Sequence, residues 1–230
     1  MKPRHVLSAL VVALVAAGLA LIPQGDAMAQ KRGGKLVYMI PASGSPSLDG
    51  HRETTFATIH PSAPFYSTLV QTDPRSKLGQ QIAGDIATEW SVSADKKTYT
   101  FKLRKGVVFH DGSPLNSKDV VASWNRIVFP PEGVLSARKA FFPMVESITA
   151  PDDYTVVFKL KFPSGAFLPA VAMPFNYIYS SDILDKDQRY HENNVMGSGP
   201  FKIVEYVPGG KIVGTRNDDF YIPGLPYLDG

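Results

Sequence analysis

The first thirty residues constrain this chain more than any other feature, because they decide in which compartment the rest must fold. A basic start at residues 1–5 is followed by an uncharged apolar run at residues 6–22 and by the small-residue site at residues 27–29. This order is typical of a secretory signal peptide and predicts a signal over residues 1–29, cut between Ala29 and Gln30. An apolar run of this length is also compatible with a membrane anchor, but the helix breaker Pro23 and the cleavage site favour removal.

Cysteine is absent from the chain, which sets two limits on an exported protein. Lipid attachment at an export site needs a cysteine, so we expect no lipoprotein. No disulfide can stabilise the fold, so a buried core must do so. No later apolar run matches the first in length, and the sequence therefore predicts a soluble protein of the periplasm.

The charge and composition exclude one large class of partner. The formal net charge is only +3, and the basic residues form no stripe interleaved with aromatic residues, so we expect no nucleic-acid partner. A hydrophobic fraction of 44% and a charged fraction of 20% are ordinary for a globular chain, while 19 glycines and 19 prolines indicate many turns.

Periodicity predicts a mixed α+β fold with several short strands. An apolar run at residues 36–40 is typical of a buried central strand, and a helix over residues 54–67 must be short or broken by Pro61 and Pro64. A longer helix should be capped by Asn116 or Ser117. The remaining predicted elements are strands at 69–72, 97–103 and 154–160, a short helix within 162–173, the apolar helix stripe Val120, Val121, Trp124 and Ile127, and a hairpin of 201–207 with 211–216.

Several motifs follow one another in the order of a known family. They are residues 87–93, residues 97–112 from Lys-Thr-Tyr to His-Asp-Gly, the helix start at 115–123, residues 153–158, Gly-Ser-Gly-Pro-Phe-Lys at 197–202, and residues 217–221 with 226–229. Together they resemble the extracellular solute-binding proteins of the dipeptide, oligopeptide and nickel class, family 5, which serve ABC importers. Ser198 stands where the family usually has Thr, and Ile222 replaces the usual Trp.

The resemblance implies an architecture and a role. It implies a lobe like that of a type II periplasmic binding protein, with a first discontinuous domain at residues 30–68 and 190–230 and an inserted domain at 69–189. Family members are longer, so a second lobe is missing from this chain. The implied function is a monomeric receptor, without cofactor, that delivers a small solute such as a peptide to the permease and ATPase subunits of an importer.

The loop at residues 42–49 is the candidate for touching ligand, since it follows a predicted buried strand and open sheets present their crevices at such strand ends. The candidate ligand-binding residues are the hydroxyl side chains of Ser43, Ser45 and Thr54 and the aromatic rings of Phe56 and Tyr66. An ordinary surface loop is an equally valid interpretation at each position.

No catalytic or metal-binding motif stands out. The five histidines are not at metal-ligand spacing, and the chain has no recognisable nucleophile frame. His110-Asp111-Gly112 indicates a turn, and Gly197-Ser198-Gly199 indicates a tight crossing of the backbone. We expect no enzyme, no catalytic residue and no metal. A secreted hydrolase and a periplasmic holdase that grips peptides remain the alternative functions.

Overall fold

The computed structural model describes residues 31–42, 44–79 and 81–230, so the predicted signal peptide and its cleavage site lie outside the described residues. Residues 33–230 form one compact unit, and every contact described lies within it. Helix α1, Phe56–Ser62, contains Pro61 and continues into a 3-10 turn at Ala63–Phe65. The prediction of a short, broken helix is confirmed.

An antiparallel sheet forms the largest part of the fold. A small hairpin of β1, Val70–Thr72, and β2, Ile82–Gly84, precedes it. The sheet has the order β3-β4-β6-β5. Its strands are β3, Ala87–Val92; β4, Thr98–Leu103; β5, Val145–Asp152; and β6, Thr155–Leu160.

Strand β4 alternates as the sequence predicts. Tyr99, Phe101 and Leu103 are buried, while the residues between them are more exposed. Because successive side chains of a strand point to opposite faces, one face of β4 packs on the core. Strands β3 and β5 were not predicted, because bulges interrupt their pairing and several of their residues are exposed on both faces.

Helix α2, Ser117–Val128, covers the buried face of this sheet. Asn116 caps it: its side chain accepts a hydrogen bond from the backbone N–H of Lys118 at 2.8 Å, and the Asp119 carboxylate accepts from the backbone N–H of Asn116 at 2.9 Å. The helix ends before Pro130, as predicted. Trp124 is fully buried and meets the rings of Phe142 and Phe158 edge to face, both at 5.2 Å.

Three shorter pieces complete the chain. Helix α3, Phe167–Val171, is shorter than the predicted range, and α4, Ser181–Lys186, was not predicted. Strands β7, Phe201–Val207, and β8, Lys211–Arg216, form the hairpin that the sequence predicts.

The prediction of a buried central strand at residues 36–40 is wrong. No strand forms there, and Val37 and Met39 are each 90% exposed. An apolar run becomes a buried strand only where neighbouring strands pair with its backbone and cover its side chains. Among the described residues, the backbone N–H of Leu36 bonds to the carbonyl of Gly230, but no strand pairs with the run.

The Gly-Ser-Gly motif is a close backbone crossing, as predicted. The N–H of Gly199 donates to the carbonyl of Phe65 at 3.0 Å. A Cβ added at Gly199 would stand 2.5 Å from the carbonyl carbon of Phe65, and one at Gly197 would overlap the Phe65 oxygen. The predicted turn at residues 110–112 also forms, with Gly112 at a φ of 86°.

Buried apolar side chains form two clusters. The larger fills the space between the sheet and α2, and it draws on residues 69–178. The smaller contains Ile59, Phe65 and Tyr66 together with Tyr177, Tyr179 and Leu184. The division into a first domain at 30–68 and 190–230 and an inserted domain at 69–189 stays a prediction.

Candidate functional site

The candidate loop at residues 42–49 lies between segment 35–40 and α1. Of its predicted ligand contacts, Ser43 lies outside the described residues. Ser45 is partly exposed, but its hydroxyl donates to the carbonyl of Ser47 and stands 2.6 Å from Oγ1 of Thr58. Ser45 therefore holds the loop in shape, and a ligand would have to share that hydroxyl.

The other three candidates lie in two different environments. Thr54 and Phe56 are exposed beside the start of α1, and Phe56 is 72% exposed with its ring 5.0 Å from that of His60. Tyr66 is 5% exposed, its ring stacks on Tyr177 at 4.5 Å, and its hydroxyl is 3.1 Å from Nδ1 of His191. The structure thus keeps Thr54 and Phe56 at the surface and places Tyr66 in the core.

An apolar groove runs beside the loop. Segment 35–40 forms one wall, and the hairpin β7–β8 forms the other, around a volume of about 650 Å³. Ser45 and Ala57 lie on its lining, and the hydroxyl of Tyr38 donates to the carbonyl of His60 at 2.8 Å. The groove joins the candidate loop to α1 in one continuous surface.

A buried ion pair fixes the far end of the loop. Asp49 and Arg126 are 0% and 3% exposed. Two guanidinium nitrogens of Arg126 reach the two carboxylate oxygens of Asp49, at 2.5 and 3.3 Å, and Arg126 also donates to the carbonyl of Gln188 at 2.8 Å. A bidentate pair of this kind holds both partners in one orientation.

The same carboxylate organises the residues around it. Oδ1 of Asp49 accepts from the hydroxyl of Tyr179 at 3.0 Å and from the backbone N–H of His51 at 2.9 Å. Burial opposes the charge on Asp49, but the positive charge of Arg126 and its hydrogen bonds, together with the attraction that a protonated His51 would add, outweigh it, so the pKa of Asp49 is lowered. Asp49 is therefore ionised at neutral pH.

Sequence reasoning missed this cluster, which we call the Asp49 cluster: Asp49, His51, Arg126, Tyr179 and His191. Its members lie far apart in the chain, and the histidines were considered only as metal ligands. One signal was available. Asp119, Ser123 and Arg126 are spaced along one face of α2, and all three are buried. A polar stripe beside an apolar one indicates a helix that packs on two sides.

The described part of the chain offers neither a metal site nor a membrane-spanning helix. No group of three or more His, Cys, Asp or Glu side chains there is arranged to hold a metal ion. None of the helices described is both long enough and apolar enough to cross a membrane.

Comparison with known families matches residues 81–230 to the model of bacterial extracellular solute-binding proteins, family 5 Middle. The oligopeptide-binding protein AppA of Bacillus subtilis is 32% identical over 206 residues, which are 86% of this chain and 36% of AppA. The dipeptide-binding protein of Escherichia coli is 32% identical over 218 residues, 85% of this chain and 39% of that protein.

Solved structures agree with the sequence relatives. The periplasmic binding protein DppA of Helicobacter pylori, in complex with the peptide STSA, superposes with a TM-score of 0.75 at 32% identity, over 86% of this chain and 42% of DppA. This confirms the mixed α/β fold of a type II periplasmic binding protein. The chain spans less than half the length of these relatives. On the matched residues and the shared fold, the chain belongs to the bacterial extracellular solute-binding proteins of family 5.

Proposed function

We propose that this chain is part of an extracytoplasmic receptor that binds a short peptide and delivers it to the permease and ATPase subunits of an ABC-type importer. The observation that carries the proposal is the likeness to DppA of Helicobacter pylori, which was solved with a bound peptide and superposes over 86% of this chain. The relatives named for oligopeptides and dipeptides support the same class of solute.

We place the contribution of this chain to the peptide site on the candidate loop and the start of α1. The ring of Phe56 is exposed and free to pack on an apolar peptide side chain, and Thr54 beside it offers a hydroxyl. The groove lined by Ser45 has a volume of about 650 Å³, which falls in the range of roughly 300–1,000 Å³ typical of small-molecule sites. Ser43 remains in the proposed set. Tyr66, which is buried, would contribute indirectly by positioning α1.

A receptor role also fits the chemistry of the Asp49 cluster better than hydrolysis does. Asp49, His51 and His191 are the buried acid and bases of this region, and all three are sealed from solvent. A general base must come within hydrogen-bond reach of its substrate. Asp49 instead pairs with Arg126 and accepts from the hydroxyl of Tyr179. The imidazoles of His51 and His191 bond to the carbonyl of Tyr177 and the hydroxyl of Tyr66, which is a structural use.

Titration by NMR with short peptides tests the proposal. We expect millimolar affinity, because a tight site encloses about 70–90% of its ligand and this chain supplies one side of the cleft. Amide shifts should map to residues 42–56. Phe56→Ala should weaken binding, whereas Phe162→Ala, which removes an exposed ring on another part of the surface, should not.

Two results of that titration would count against the proposal. Absence of any shift at roughly 10 mM peptide would contradict peptide binding by this chain. Shifts confined to residues outside 42–56 and the groove would contradict the proposed contacts. Micromolar affinity would contradict only the expectation that this chain supplies one side of the cleft, because it would show that the chain alone encloses the ligand.

Export to the periplasm is part of the same proposal. The signal peptide that the sequence predicts over residues 1–29 supports it, and the matched family is extracellular. Mass spectrometry of the exported protein should find Gln30 at the N-terminus. A mature protein that retains Met1 would show that the apolar run is an anchor.

A further inference from the structure

Two histidines sandwich one tyrosine inside the Asp49 cluster. The ring of His191 lies 3.7 Å from that of Tyr179 with an interplanar angle of 13°, and the ring of His51 lies 4.3 Å away with an angle of 29°. All three side chains are fully buried. His51 and His191 lie 140 positions apart in the chain, so the stack exists only in the folded protein.

The hydrogen bonds indicate that both rings are neutral. Nε2 of His51 is 2.8 Å from the carbonyl of Tyr177, so this nitrogen carries the proton. The hydroxyl of Tyr66 accepts from the backbone N–H of Met196 and is therefore free to donate to Nδ1 of His191. The second nitrogen of each ring, Nδ1 of His51 and Nε2 of His191, is buried and has no hydrogen-bond partner among the described residues.

The charge balance leaves no counter-ion for an extra proton. The single carboxylate of Asp49 is already paired with Arg126, so a protonated histidine would add an unmatched buried charge. The groups that face the two rings from the surrounding elements are Asp49, Arg126, Arg138, the rings of Tyr66, Tyr179 and Tyr190, and the backbones of Tyr177 and Asn194. Glu53 and Glu192 lie at the rim, where both pair with Arg52.

Burial is the largest influence on both histidines, and with the nearby charge of Arg126 it lowers the pKa of each to about 3, against the opposing effect of Asp49. A histidine freed into water has a pKa of about 6.5. The contribution of each ring to stability is therefore fully present above about pH 6.5 and is lost as the pH falls from there toward 3.

The cluster holds one segment, residues 47–53, against the rest of the fold. The N–H of Gly50 donates to the hydroxyl of Tyr179 at 3.0 Å, and the N–H of Leu48 donates to the carbonyl of Glu192 at 3.0 Å. The carbonyl of His51 accepts from the N–H of Ala137 at 3.0 Å. Ser45 and Thr54, two of the candidate ligand contacts, flank this segment.

We propose that His51 and His191, stacked on either side of Tyr179, form an acid-sensitive latch that releases segment 47–53 when both rings take up a proton. The strands β3, β4, β5 and β6 contain no histidine. Opening the latch therefore protonates no side chain of that sheet. Acid would loosen the candidate loop at a pH where the sheet is still paired.

Hydrogen exchange of the backbone amides, corrected for intrinsic rates, tests the latch in the purified protein. Two rings that each take up one proton on opening should lower the protection of the Gly50 and His51 amides by roughly 100-fold between about pH 7.5 and 5.5. The amides of β4 and β6 should stay more protected than those of Gly50 and His51 at both pH values, because they open only when the whole fold unfolds. Protection in the sheet that falls to the level of the Gly50 amide at pH 5.5 would show global acid unfolding and would overturn the proposal.

Single variants distinguish the contributions of His51 and His191 to the pH effect. His51→Gln keeps a donor near the carbonyl of Tyr177, and His191→Phe keeps an aromatic ring against Tyr179. Each should reduce the pH effect on the segment to roughly tenfold, and the double variant should abolish it. His60→Gln, which replaces an exposed histidine of α1, is the matched control and should behave as the unaltered protein does.

The unaltered protein offers a second readout that does not depend on how the variants fold. The ring resonances of His51 and His191 should show neutral imidazoles at pH 6 and should become protonated only as the segment loses protection. Rings that titrate near pH 6.5 while Gly50 and His51 stay protected would overturn the latch. A double variant whose segment keeps the full pH dependence of protection would also overturn the latch.

Discussion

At the scale of single residues, the fold depends on a few buried groups that each make a specific contact. Asp49 and Arg126 satisfy each other inside the protein, and Trp124 fills the space between α2 and the sheet. A buried ion pair adds little to stability in net terms, but removing one partner leaves the other charge uncompensated. Changes at these positions should therefore cost far more than changes at exposed pairs.

Asp49→Asn should lower the free energy of unfolding by about 3–5 kcal/mol, because it leaves the buried guanidinium of Arg126 without a counter-ion. Urea denaturation measures the change. Asp182→Asn is the control, since the Asp182 to Lys118 pair is exposed, and it should have no measurable effect. Equal stabilities for the two variants would mean that Arg126 finds another partner.

Trp124→Ala should lower the free energy of unfolding by about 3–5 kcal/mol, because it opens a cavity among the rings of Phe142 and Phe158. Trp90→Ala, at a partly buried position of β3, should cost less. The same denaturation experiment compares the two. A loss below about 1 kcal/mol at Trp124 would contradict the close packing of α2 on the sheet.

At the scale of elements, the crossing of residues 197–199 over the turn at 63–65 joins distant parts of the chain. Gly199 bonds to Phe65, and the backbone of His110 donates to the carbonyl of Gly197 at 2.8 Å. The crossing brings the start of β7, the end of α1 and the turn at 110–112 to one place. Backbones can approach this closely only where no Cβ intervenes.

Gly199→Ala should destabilise the protein by about 1–3 kcal/mol, because the added Cβ would meet the backbone of Phe65 and Tyr66. Gly165→Ala is the matched control, as a Cβ there meets nothing within 4 Å. Thermal denaturation of both variants provides the comparison. If Gly199→Ala is as stable as the control, the crossing has more room than the structure shows.

At the scale of the whole molecule, the exposed apolar segment 36–39 is the feature that a stable globular surface would avoid. Leu36, Val37 and Met39 form a contiguous patch along the groove. Apolar surface of this kind usually marks a contact with another part of a protein. The expectation of a monomer applies to the full-length receptor and not to residues 30–230 alone.

Residues 30–230 alone should self-associate at concentrations of roughly 100 μM, because the patch at 36–39 is apolar and uncovered. The double substitution Val37→Ser and Met39→Ser should reduce the association, whereas Leu135→Ser, at an exposed leucine elsewhere, should not. Sedimentation velocity measures the distribution. A protein that stays monomeric at this concentration would show that the exposed patch does not drive association.

The local features of this protein were readable from its sequence. The alternation of β4, the cap and stripe of α2, the β7–β8 hairpin and the turn at 110–112 depend on neighbours within a few residues. Periodicity and turn chemistry act over that range. The order of several such motifs along the chain was enough to indicate the family, since each motif occupies a set place in one fold.

Tertiary structure alone decided the rest. Whether Leu36 to Ile40 becomes a strand depends on partners that the run itself does not encode, and the described residues provide none. Whether Tyr66 faces solvent or His191 depends on how residues 125 positions apart are brought together. The Asp49 cluster joins five side chains from four parts of the chain, and burial, which sets their charge, exists only once those parts have packed.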